Sequence, residues 1–100
     1  MEYKGKTYST MGDIFNDAVR LAKTDVKEAH NLFNAYVQHI YDNAADLASL
    51  VMSERWEAAV SRAKSNFGYF AGYYDKETCD LVYSTFQCSH PIFGGNPFNR

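Results

Sequence analysis

The sequence predicts an all-α fold, a compact bundle of four to five helices with room for a short β-hairpin at the N-terminus. Three observations carry this. Val26, Ala29, Leu32, Phe33, Tyr36, Val37, Ile40 and Tyr41 keep a helical apolar period through one long segment. Residues 44–64 contain neither proline nor glycine. Residues that favour helix N-caps stand at the expected joins, as Ser9-Thr10, Thr24-Asp25 and Asp75.

Each element follows in order. Residues 2–8, EYKGKTY, read as two β-prone pieces around Lys4-Gly5-Lys6, a hairpin or extended arm that must lean on the rest of the chain. Ser9 or Thr10 caps a first helix, with Asp13 favouring its positive end. Its stripe is Ile14, Phe15, Ala18, Leu21 and Ala22, and it ends near Lys23. Asp25 and Glu28 resemble a capping box at the start of the second helix, which Asp42-Asn43 can close. Residues 44–64 are helical, as one piece or as two with Ser53 capping the second. Leu47, Leu50 and Val51 form an apolar patch before that break, and Trp56, Ala59, Val60 and Ala63 a stripe after it. The helix is expected to run on through Asn66 and Phe67 as far as Tyr74. Asp75 caps a last helix, Lys76 to about Gln87, with Cys79, Val82, Tyr83 and Phe86 inward. Pro91 ends it at the latest. One helical domain thus spans residues 1–100, with 1–8 as an arm or hairpin and 94–100 as a flexible tail.

Composition removes several classes of function. The net charge is −2 and the pI about 5.8, so no basic excess grips a phosphate backbone and direct nucleic-acid binding is disfavoured. No window approaches the run of about 20 apolar residues that a membrane span needs. The first ten residues, MEYKGKTYST, do not read as a secretory signal. A cytoplasmic protein is expected, with Cys79 and Cys88 as reduced thiols.

The stretch GYFAGYY, residues 68–74, is the most unusual in the chain, with four aromatics and two glycines in seven residues. On a helix, Gly68 and Gly72 would share a face and form a close-packing strip, a natural seam for a homodimer. Each glycine costs about 1 kcal/mol of helix propensity against alanine, and close approach of another backbone is the usual offset. Phe67, Phe70 and Tyr74 would make one stripe, toward the core, and Tyr69 and Tyr73 a second, open to a partner or ligand.

Catalytic and metal chemistry find little support. Cys79, Cys88 and His90, with His30 or His39, lack the tight C-x2-C pairing of structural zinc sites, and no cofactor is expected. Cys88 and His90 are too close in sequence to set up a nucleophile and base readily. No acid pair stands out for general acid–base work, and Gly94-Gly95-Asn96 lacks the lysine of a phosphate loop. The protein is therefore expected not to be an enzyme.

Residues 63–94 resemble a group of small proteins of bacteriophages and other mobile elements. The shared pattern runs through Ala63, Asn66, Phe67, Gly68, Tyr69, Phe70, Ala71, Gly72, Tyr73 and Tyr74, then His90, Pro91, Ile92, Phe93 and Gly94. YKGKTYSTMGDIF at the start is similar more loosely, and Cys79 and Cys88 depart from the pattern. The resemblance implies a mobile-element origin and life in a bacterial host cell. It also implies action by binding: inhibition of a host defence complex or nuclease, in the manner of an anti-CRISPR protein, or sequestration of a signalling nucleotide. The residues expected to meet the partner or ligand are Asn66, Tyr69, Tyr73, Tyr74, His90 and Phe93.

Overall fold

A computed structural model describes residues 1–69 and 71–89. Strands β1 (Glu2–Tyr3) and β2 (Lys6–Thr7) form an antiparallel hairpin, with Glu2 opposite Thr7 and Tyr3 opposite Lys6. Four helices follow: α1 (Met11–Thr24), α2 (Val26–Asn43), α3 (Met52–Gly68) and α4 (Lys76–Ser89). Short 3-10 turns at Ala45–Leu47 and Ala71–Tyr73 precede α3 and α4. The all-α bundle with an N-terminal hairpin is thus the observed fold. Among the described residues, no helix is long and apolar enough to cross a membrane.

Local chemistry sets most of the joins. Lys4 and Gly5, at φ 49° and 78°, both turn left-handed at the hairpin tip, as a two-residue loop between twisted strands requires. Thr10 caps α1 in a reciprocal box: its hydroxyl accepts from the Asp13 amide, and the Asp13 carboxylate accepts from the Thr10 amide. Asp25 alone separates α1 from α2. Its amide donates to the Leu21 carbonyl and its carboxylate accepts from the Glu28 amide, so one residue ends one helix and starts the next. The expected box at Asp25 and Glu28 is only half formed, because the Glu28 side chain turns to Lys4 and Asn31 instead. Before α3, Val51 occupies the cap position with no side-chain hydrogen bond, so the break is real but Ser53 does not cap it.

The core lies where α2 meets the other three helices. Phe15, Leu32, Phe33, Val37, Val60, Phe67 and Val82 are fully buried. Phe67 is its hub, with ring centroids 4.7 Å from Phe15, 5.6 Å from Tyr36 and 6.0 Å from Phe33. Burying a phenylalanine side chain is worth about 1.5–3 kcal/mol, and tilted ring pairs add to it. The expected stripe of α1 needs one adjustment: Val19 is buried, whereas Leu21 is only partly so.

The hairpin docks onto α1 and α2 through side chains. Tyr8 is buried and donates its hydroxyl to Asp17, 2.7 Å away. Lys6 pairs with the same carboxylate at 2.7 Å, and Lys4 with Glu28 at 2.5 Å. The Tyr8 amide closes the strand end on the Met1 carbonyl at 2.7 Å.

Candidate functional site

The segment after α3 departs from the expected continuous helix. α3 stops at Gly68, the Tyr69 amide reaches back to the Asn66 carbonyl at 3.2 Å, and residues 71–73 form a 3-10 turn. Two glycines within five residues, each costing about 1 kcal/mol, favour a stop here. The expected glycine strip is therefore not one helical face. Gly68 is buried at the end of α3, whereas Gly72 is exposed, and a Cβ placed on it would meet nothing within 4 Å.

This turn is held on both sides. Phe67 precedes it in the core. Tyr74 follows it, with its ring centroid 5.2 Å from Phe15 and its hydroxyl donating to Asn16 Oδ1. Burial of the Tyr74 phenol, and after it the nearby Cys79, pushes its pKa up, so it stays a neutral donor. Asp75 then caps α4 by accepting from the Thr78 amide at 3.3 Å. Hydrogen bonds from Thr78 hold its carboxyl below the usual range despite the opposing effect of desolvation.

Between these anchors, Tyr69 is 70% and Tyr73 78% exposed. Among the described residues, they are the two expected site residues that the fold presents to solvent as whole rings. Asn66 is instead half-buried, and its amide donates to the Tyr36 hydroxyl at 2.8 Å. Tyr74 is half-buried and serves as an anchor. His90 and Phe93 lie outside the described residues, as does Phe70.

Cys79 is buried, and burial, then the charges of Asp75 and Asp80, push its thiol pKa up, away from the thiolate a nucleophile needs. Lys76 is paired with Asp80 at 2.7 Å. Among the described residues, no group of three or more His, Cys, Asp or Glu side chains could hold a metal ion. His39 is exposed and pairs with Asn43; His30 is half-buried, with Nε2 shielded from solvent.

Sequence reasoning missed one arrangement and saw part of another. One is the pairing of the hairpin lysines with Asp17 and Glu28. The other is an apolar surface where α2 ends and α3 begins, with Val51 62% and Met52 78% exposed. The first joins residues 11 and 24 apart in sequence, whereas the second was signalled by the expected patch of Leu47, Leu50 and Val51. No family model matches the chain, and no curated protein or solved structure matches it either.

Proposed function

We propose that this chain is a non-enzymatic binding protein of a phage or mobile element, which inhibits a host defence complex by protein–protein contact through Tyr69 and Tyr73. One observation carries the contact surface: two tyrosines stand 70% and 78% exposed on a turn whose flanking rings, Phe67 and Tyr74, are rooted in the bundle. Tyrosine gives a large amphipathic contact at low entropic cost, and an anchored turn leaves less disorder to be lost on binding. The host-defence target rests on the resemblance of residues 63–94 and on nothing in the geometry.

The nucleotide-sponge reading finds less support, because small-ligand sites are concave and bury most of the ligand. Two rings this exposed offer no such enclosure. The test is capture from a bacterial lysate by wild type and by the Tyr69→Ala/Tyr73→Ala double variant. The proposal expects a discrete partner with wild type and its loss with the variant, at an unchanged melting temperature. The same partner on both proteins sinks the contact surface. Calorimetric binding of a cyclic nucleotide, with no protein captured, favours the sponge.

A further inference from the structure

At the end of the bundle where α3 starts, Gln38, Tyr41, Met52, Ser53 and Trp56 line an open apolar groove of about 420 Å³. Its floor is an aromatic pair, Tyr41 and Trp56, with centroids 5.9 Å apart and planes tilted by 55°. Arg55 backs Tyr41: its guanidinium carbon lies 4.3 Å from the ring centroid, and Nη2 donates to the Tyr41 carbonyl. The floor is thus braced, and the one cation of this segment is turned inward. Met52 on the groove's lining is 78% accessible, and Leu50 and Val51 just before it in the chain are 36% and 62% accessible.

Acidic side chains outnumber basic ones in the segment that builds this groove. Residues 38–57 carry Asp42, Asp46, Glu54 and Glu57 against Arg55, and Asp46 is itself paired with Arg62 at 2.5 Å, which leaves Asp42, Glu54 and Glu57 as the acids of this segment. Asp42 accepts a hydrogen bond from the groove-lining Gln38 at 2.9 Å. Glu54 lies in the first turn of α3, where it offsets the positive end of the helix dipole. An apolar slot with an aromatic floor and an excess of acids in its segment complements an apolar anchor flanked by basic residues.

We infer that this groove is a second docking surface, which takes a short protein segment with an aliphatic or aromatic anchor between lysines or arginines. It is independent of the tyrosine turn. The groove lies at the N-terminal end of α3 and the turn beyond its C-terminal end, about 25 Å apart along a helix rising 1.5 Å per residue.

Trp56 is the sole tryptophan, so intrinsic fluorescence reports on the groove directly. The probe is a tryptophan-free peptide of about 12 residues with leucines on one helical face and lysines at both ends, beside a control with glutamates in place of the lysines. The lysine peptide is expected to give a saturable blue shift, weakened when salt rises from about 0.05 to about 0.5 M. Val51→Ser/Met52→Ser is expected to weaken binding about ten-fold or more with little change in melting, since both side chains are exposed. Glu54→Gln/Glu57→Gln is expected to weaken the lysine peptide selectively, and Tyr69→Ala/Tyr73→Ala to leave it unchanged. Equal binding of both peptides, no saturable shift up to about 1 mM, or a shift with lipid vesicles and neither peptide overturns the inference.

Discussion

Asn66 on α3 donates its side-chain amide to the hydroxyl of Tyr36 on α2 at 2.8 Å. This bond ties the last turn of α3 to the middle of α2, three residues before the exposed Tyr69. Burial raises the Tyr36 pKa and the donation from Asn66 only partly offsets it, so the hydroxyl stays neutral while it accepts from Asn66. Asn66→Ala leaves the buried hydroxyl without this donor and is expected to cost about 1–2 kcal/mol. In a domain of this size that lowers the melting temperature by roughly 4–8 °C per kcal/mol, readable by circular dichroism. Partner capture by the folded variant is expected to fall less than in the double tyrosine variant.

Phe67 and Tyr69 lie two residues apart and answer to different forces. Phe67→Ala removes the ring at the centre of the core and is expected to cost about 3–5 kcal/mol, a large part of the whole stability of a small domain. Tyr69→Ala and Tyr73→Ala remove exposed rings and are expected to stay within about 0.5 kcal/mol. Chemical denaturation of the three variants checks the contrast.

The hairpin clasp predicts a loss of stability in acid. Burial works to raise the Asp17 carboxyl, but donation from Lys6 and Tyr8 and the charge of Arg20 outweigh it and hold its pKa below the ordinary carboxylate value. Glu28 is lowered too, first by Lys4 and then by Asn31. A carboxylate with a depressed folded pKa contributes stability above its unfolded value, which is lost as pH falls through the folded one. Melting temperature is therefore expected to fall below about pH 4, and to fall less steeply in Asp17→Asn, which starts lower at neutral pH.

Tyr8 titrates at the other extreme. Burial, then its hydrogen bond to Asp17, push its phenol up to about 12. A raised pKa means stability present below about 10 and lost as pH rises through about 12. Ultraviolet titration of the phenolates is expected to show one late component that Tyr8→Phe removes.

Gly72 stands in open space with no positive φ to justify it. Gly72→Ala is expected to stabilise the monomer by about 0.4–1 kcal/mol by restricting the unfolded chain. Gly72→Leu, measured by light scattering against wild type, tests the homodimer proposed for the glycine strip. A change from dimer to monomer revives that seam, and two monomers remove it.

Much of the fold was legible because its joins are local. Thr10, Asp25 and Asp75 cap helices through atoms three residues away, and Cys79 and Val82 point inward as their spacing indicates. The end of α3 was misread because the aromatic spacing of residues 67–74 fits a helix, whereas the two glycines weaken one, and periodicity alone gives them no weight. Val51 has no side-chain oxygen to announce a cap, so the start of α3 fell near but not on Ser53. Of the expected site, Tyr69 and Tyr73 were legible as a second stripe. The commitment of Asn66 to Tyr36 was not, because it joins positions thirty residues apart.

The most direct measurement places a photo-crosslinking phenylalanine analogue at position 73, and separately at the exposed Ser61 of α3, in bacterial cells that express the protein. The proposed contact predicts one adduct of defined mass from position 73 and none from position 61. Adducts from position 61 alone, or none from either in cells that hold the folded protein, contradict it.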